Sequence, residues 1–318
     1  MSRRSAEPDG PRTRTRRSTS VTPTGVRSHT SPGRTSREPG ASSTRGTPQL
    51  VVSERAEFAG PLAALAAGIP WVQYHWSVSQ LHEYRDAGAE EFSAELHDMG
   101  FAGIPAPHQV LNPWPVSLWS PHASEYLGLR HVASSGEAPI PDWAFRTPDR
   151  PRICVTLGTV VPRATGNGAS EFMLTMLDHL AALDVELVVA VDDDIAARWR
   201  RLPPAVLHAG RIPLGSVLPS CAAIIHHGGQ GTALNAVAAG LPQLVLPWFD
   251  DQFDNGMMIA ESGAGLMLSP PETTPEAVVQ SCARLLEDEK HIDMAAALAR
   301  EMALLPPPSA VVERLTDL

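Results

Sequence analysis

From Arg152 onward one pattern repeats: a short apolar run, a turn, then residues at helical spacing. The runs Arg152–Leu157, Val185–Val191, Val206–Ala209, Ala222–Ile225, Gln243–Leu246 and Gly265–Leu268 lack the strict polar alternation of a half-exposed strand. They read as strands buried on both faces. Ala169–Leu183, Ile195–Arg201, Thr232–Ala239, Gln252–Ser262, Pro275–Asp288 and His291–Leu304 read as the intervening helices. Doubly buried strands alternating with helices form a parallel sheet covered on both sides, which places any ligand beyond the carboxyl ends of the strands. No internal repeat interrupts this order.

The upstream half is less regular. Residues 1–48 are Ser, Thr, Arg, Pro and Gly with almost no apolar side chain. Such a segment buries too little surface to offset its ordering entropy, and it reads as disordered. Leu50–Val52 reads as a strand, Ala59–Ala67 as a helix of small residues, and Pro70–His75 as a second strand. Ser79–Met99 carries Leu81, Tyr84, Phe92 and Leu96 at helical spacing, followed by proline-rich turns from Pro105 to Pro115 and a short strand at Val116–Trp119. The Pro-, Ser-, Asp- and Gly-rich residues 134–150 read as a linker.

Charge and cysteines narrow the function classes. The 318 residues carry a net charge of -10, but residues 1–48 hold ten arginines and three acids, so the remainder stands at -17. An acidic body argues against a nucleic-acid-binding surface. Cys154, Cys221 and Cys282 have no metal-ligand spacing, read as small buried residues, and fit a reducing cytoplasm. No apolar run is long enough to span a bilayer, and no apolar segment follows Arg3-Arg4 to make a signal peptide.

The chemistry concentrates where the fourth strand of this half ends. Ile224-Ile225-His226-His227-Gly228-Gly229-Gln230-Gly231-Thr232 is strand, glycine turn and helix start. The first N–H groups of a helix lack partners within the helix and attract an anion, and glycines let a ligand approach the backbone. His227 beside the turn adds a hydrogen-bond donor for phosphate, and Thr232 can cap the helix or donate its hydroxyl; His226 reads as a core or sheet-edge histidine. The next strand leads into Asp251 and Gln252, a pair suited either to vicinal sugar hydroxyls or to capping a helix. Thr156-Leu157-Gly158-Thr159 closes the first strand with hydroxyls near the same rim. Asp192-Asp193-Asp194 could hold Mg²⁺ beside a diphosphate, but reads better as a solvated helix start. The expectation is a nucleotide-diphosphate site that needs no metal.

His226 to Thr232, Gly240-Leu241-Pro242-Gln243, Asp251-Gln252, and Leu218-Pro219-Ser220-Cys221-Ala222-Ala223 ahead of the histidines resemble the family 1 glycosyltransferases. The likeness is to the actinobacterial type that attaches deoxysugars to polyketide antibiotics, the erythromycin desosaminyltransferase type, and it covers about residues 49–318. It implies a GT-B-like α/β fold of two Rossmann-like domains, the N-terminal one incomplete and the C-terminal one complete. Residues 49–133 would be the partial acceptor-side domain, 151–305 the nucleotide-sugar domain, and 306–318 a helix returning toward the first domain. The resemblance assigns the leaving diphosphate to His227, Gly228, Gly229, Gly231, Thr232 and Thr159, the nucleotide base to backbone at Ile212 and Leu214, and the donor sugar to Asp251 and Gln252. Asn235 stands where plant relatives carry an acid for the ribose, so recognition there must differ. It implies inverting transfer from a dTDP- or UDP-sugar, as co-substrate rather than cofactor, to a hydroxyl of a small aglycone. The family's catalytic base lies in the first loops of its N-terminal domain, before the segment matched here. His75, His82 and His108 do not match that motif and read as packing or surface residues. An incomplete first sheet would leave apolar edges, so poor solubility or homodimerisation is expected. The alternatives are a nucleotide-sugar-binding auxiliary protein without turnover, and a GT-B-like epimerase, for which no acid/base pair is evident.

Overall fold

Two parallel sheets carry the chain, one in each half. The computed structural model describes residues 48–79, 82–119, 123, 125–133, 138–165 and 167–318. The segment expected to be disordered, the expected helical residue Leu81 and residues 134–137 of the expected linker therefore lie outside the described residues, except for Pro48.

The first sheet joins β1 (Val51–Glu54), β2 (Trp71–Tyr74), β3 (Gln109–Asn112) and β4 (Leu127–Gly128) in that order, all parallel. Between them lie α1 (Ala59–Ala67), α2 (His82–Glu91) and α3 (Ser93–Asp98). α1 stops at Gly68, whose φ of 65° turns its N–H back onto Leu65 while Ile69 bonds Ala64. The helix expected over 79–99 is two helices broken at Phe92. The strand expected at Val116–Trp119 is a 3₁₀ turn, since Leu118 bonds back to Pro115 and Glu301 takes both the N–H and hydroxyl of Ser117. The strand of this stretch is β3, hidden in the sequence among prolines because only Val110 and Leu111 are apolar.

The second sheet runs β10 (Gly265–Met267), β9 (Gln243–Val245), β8 (Ala223–His226), β5 (Arg152–Thr156), β6 (Glu186–Ala190) and β7 (Val206–Gly210), again all parallel. Its helices are α4 (Val160–Ala164), α5 (Asn167–Leu180), α6 (Asp193–Ala196), α7 (Leu214–Val217), α8 (Gln230–Ala238), α9 (Asp251–Glu261), α10 (Pro275–Glu287), α11 (Glu289–Leu304) and α12 (Pro308–Leu315). Successive β5 residues serve opposite faces. Ile153 and Val155 pack with Met173, Leu177, Val278 and Leu285 on one side, and Cys154 packs with Val217, Leu218 and Ala236 on the other. All three cysteines are free and buried.

The halves share core. Trp114 and Val78 from the first half sit among Ala233, Leu234, Val245 and Ile259 of the second. Val311 and Leu315 of α12 pack on Val72 and Leu111 of the first sheet. No helix of the described residues is long and apolar enough to cross a membrane.

Candidate functional site

Strand order in the second sheet reverses between β5 and β8: β6 and β7 extend from one side, β9 and β10 from the other. A reversal of this kind opens a crevice at the carboxyl ends. Thr156 and His226 are paired across it, so the turns that begin at Leu157 and His227 leave the sheet side by side.

The two histidines have different fates. His226 is fully buried; its Nδ1 accepts the Gly228 N–H at 3.0 Å and its Nε2 donates to Gln243 Oε1 at 2.9 Å, which fixes the tautomer. Burial, then the neighbouring His227, pulls its pKa down to about 3 against the Gln243 bond. His226 is therefore a core residue that shapes the turn. His227 is only 8% exposed, and its ring lies between two glycines. A Cβ on Gly158 (φ 69°) would come within 2.5 Å of the ring's Cε1, and one on Gly229 would collide with Nε2. His227 Nδ1 is buried with no partner among the described residues. Burial lowers this imidazole to about 4, so it is neutral at pH 7 and offers a phosphate an N–H rather than a charge.

The amides of the turn divide in the same way. Gly228, expected among the phosphate donors, has its N–H on His226 and its carbonyl on Asn255, so its part is conformational, at φ 93°. The Thr232 N–H bonds Gly229 O at 3.1 Å, which leaves Thr232 its hydroxyl. The N–H groups of Gly229, Gln230 and Gly231 have no acceptor among the described residues and stand at the positive end of α8.

Four expected residues meet in one cavity. Thr159, Thr232, Ile212 and Leu214 line a space of about 310 Å³ together with Asp192 and Arg211. Asp192 corrects the expectation of a solvated acidic cluster. It is 7% exposed and held by Arg163 at 2.6 Å and Arg211 at 3.0 Å, and these arginines, Arg163 foremost, keep its carboxyl below the usual range despite burial. Asp193 accepts the Arg211 N–H, so with Asp192 it anchors the loop carrying Ile212 and Leu214, while Asp194 pairs with Arg198 four residues on. No group of three or more His, Cys, Asp or Glu among the described residues could hold a metal ion. A larger concavity of about 790 Å³ is lined by Arg152 and Ala222, at the amino ends of β5 and β8, the end where such sheets do not bind ligands.

Asp251 and Gln252 do not line the 310 Å³ cavity; they stand behind the turn. A Cβ on Gly228 would lie 2.7 Å from the Gln252 carbonyl oxygen. Gln252 Oε1 accepts the N–H groups of Trp248 and Phe249, leaving only its amide nitrogen for a ligand. Burial raises the Asp251 carboxyl to about 6, opposed by its bond from Asn255. The preceding Asp250 has φ 55° and ψ -135°, a region costly for any residue but glycine, and accepts the Tyr84 hydroxyl at 2.6 Å.

Two residues that sequence reasoning left without a role join this turn to the first half. Asn255 is fully buried: its Nδ2 donates to Gly228 O and Asp251 Oδ2, and its Oδ1 accepts from Val78 N and Ser77 Oγ. Gln230 accepts from Trp114 Nε1 at 2.8 Å and donates to His75 O at 3.2 Å. The four-residue step from Asp251 to Asn255, one helix face, was the readable signal. Asn235, which stands where plant relatives carry an acid for the ribose, is bonded by His131 at 2.9 Å.

Residues 41–158 match the family described as erythromycin biosynthesis protein CIII-like, N-terminal domain, and residues 174–318 match its C-terminal domain. The L-demethylnoviosyl transferase of Streptomyces niveus is 37% identical over 269 residues, spanning 84% of this chain and 70% of that protein. The glycosyltransferase SsfS6 of Streptomyces sp. SF2575, solved with thymidine diphosphate, superposes with a TM-score of 0.73 at 30% identity over 85% of this chain and 69% of its own. Spinosyn rhamnosyltransferase SpnG, solved with spinosyn aglycone, gives 0.78 at 29% identity over 85% and 73%.

Proposed function

This chain belongs to the erythromycin biosynthesis protein CIII-like glycosyltransferases, which share the GT-B fold of two Rossmann-like domains, and on that premise we propose that it moves a deoxyhexose from a dTDP- or UDP-sugar to a hydroxyl of a small natural product such as a polyketide antibiotic. Transfer inverts the anomeric carbon and uses no metal. One observation carries this reading: the enclosed His227 ring, with its Nδ1 buried and unpartnered, belongs to the same turn as three N–H groups at the start of α8 that have no acceptor among the described residues. The solved relatives hold thymidine diphosphate in one case and an aglycone in another, which supports the two substrate classes.

The chemistry follows from charge. The sugar passes through an oxocarbenium-like state while the departing diphosphate gains negative charge. Donors already fixed around that charge favour the transition state over the ground state. His227, the amides of Gly229, Gln230 and Gly231, and the hydroxyls of Thr159 and Thr232 take this task. Backbone at Ile212 and Leu214 receives the base, and Asp251 with the Gln252 amide holds the sugar.

A binding protein without turnover is the second reading. It is favoured by the ring nitrogens of His75, which are engaged by Arg55 and Ser77 O, and by His108 Nδ1, which accepts the Trp71 N–H. Calorimetric titration of dTDP and UDP into wild type and His227→Ala tests the site. The substitution is expected to weaken the diphosphates about tenfold or more while thymidine itself changes little, since one charge-assisted bond contributes about 1.5–3 kcal/mol. Equal binding of dTDP by both proteins would remove the assignment. Transfer, or slow hydrolysis of the donor, separates enzyme from binder.

A further inference from the structure

Arg55 follows β1, at the carboxyl end of the first sheet, and is 4% exposed. Its Nη2 meets Ser79 O at 2.6 Å and His75 Nε2, and Trp76 covers the guanidinium at 5.3 Å. Nε and Nη1 have no hydrogen-bond partner among the described residues, so three N–H groups of a buried cation are unanswered there. The acids that feel its charge, Glu54, Glu83 and Asp251, form no ion pair with it among the described residues. A buried cation with unanswered donors and no anionic partner is costly, and the usual resolution is an anion.

The place for that anion is adjacent. A cavity of about 440 Å³ is lined by Arg55, His75, His82, Arg85, His108 and Tyr126, with Glu125 the single acid on its wall among the described residues. The rings of His75 and Tyr126, 5.4 Å apart and tilted by 56°, make its wall aromatic. The His75 carbonyl accepts from Gln230 at the head of α8, so a residue of this cavity is tied directly to the glycine turn.

We propose that this cavity binds the acceptor and that Arg55 recognises a carboxylate carried by it, which makes the acceptor a hydroxylated aromatic or polyketide acid. Arg55 is then a specificity-determining residue. The proposal rests on the transferase reading above, since it names the acceptor class of that same site. Arginine suits the task because its charge is permanent and its planar fork matches a carboxylate.

The test titrates 1-hydroxy-2-naphthoate and its carboxamide into the full chain, as wild type, Arg55→Met and Arg55→Lys, with dTDP titrated into each protein as a folding control. Wild type is expected to bind the acid at least tenfold more tightly than the amide. Arg55→Met should lose that preference and Arg55→Lys keep part of it. An acid-to-amide ratio below two in wild type, or an unchanged ratio in Arg55→Met, overturns the proposal. If Arg55→Met fails to fold, the wild-type ratio and its reduction in Arg55→Lys decide. A capped Gly-Glu-Gly peptide that bound as tightly as the naphthoate, with the same dependence on Arg55, would assign the site to a protein carboxylate and overturn it too. Failure of dTDP to bind wild type sinks the transferase reading instead, so the two failures are distinguishable.

Discussion

His226 and His227 are neighbours in sequence and opposites in use. Strand geometry sends successive side chains to different sides, so one imidazole bonds Gln243 of the next strand and the other lies between Gly158 and Gly229. Both are buried neutral, which makes the fold sensitive to acid. Below the ordinary value of 6.5 the unfolded chain takes up protons that the folded chain refuses, down to about 4 at His227 and about 3 at His226. Stability is therefore lost as pH falls through that window. Asp251 acts in the opposite sense: its folded carboxyl titrates near 6 against 3.8 when free, so between those values acid favours the fold. Two histidines outweigh one carboxyl, each contributing about 1.4 kcal/mol per pH unit. Stability is expected to fall by a net of roughly a few kcal/mol between pH 6.5 and 4, lowering the melting temperature, and more steeply in Asp251→Asn. Thermal scans across that range check it; a flat profile contradicts the burial of the pair.

At the level of elements, the site is a crossing of two turns, and its glycines are not equivalent. Gly158 has φ 69° and no room for a side chain beside His227, whereas Gly231 is exposed, with nothing within 4 Å of a built Cβ and no positive φ. Gly158→Ala is expected to weaken dTDP at least tenfold, because the methyl group displaces the ring and the backbone conformation costs about 1–2 kcal/mol. Gly231→Ala, with its N–H in place, should bind dTDP within about threefold of wild type and gain up to roughly 1 kcal/mol from helix propensity. Titration and melting of both variants separate steric from amide roles. The elements of the second half were legible because continuous apolar runs and helical spacing are local signals. Those of the first half were less so. β3 offers only two apolar residues between prolines, and the 3₁₀ turn at Val116 owes its form to Glu301, which lies 184 residues away from Ser117.

On the scale of the molecule, the residues assigned to the site all fall within 48–318. A chain lacking residues 1–47 is expected to bind dTDP within about twofold of the full chain at 150 mM salt, while its net charge moves from -10 to -17. A larger loss in calorimetry would give that segment a role at the donor site. β1 is an edge of the first sheet and carries Val52 at 54% exposure, the place where the expectation of self-association can be examined by sedimentation. The two halves do not merely touch: Trp114 is buried among α8 and β9 side chains, and Asn255 and Gln230 hydrogen-bond across to Ser77, Val78 and His75.

The amino-acid sequence by itself determined the parallel α/β architecture of residues 152–304, the rim at which a ligand would lie, and a glycine turn opening a helix there. Each depends on periodicity and backbone freedom within a few residues. Tertiary structure alone decided that Gly158 and Gly229 enclose His227, that the Gly228 amide is spent on His226, that Asp192 is buried between two arginines, and that Arg55 is left with unanswered donors. Those outcomes depend on which strand lies beside which and on what burial does to a charge, and pairing across tens of residues leaves no periodic trace in the chain.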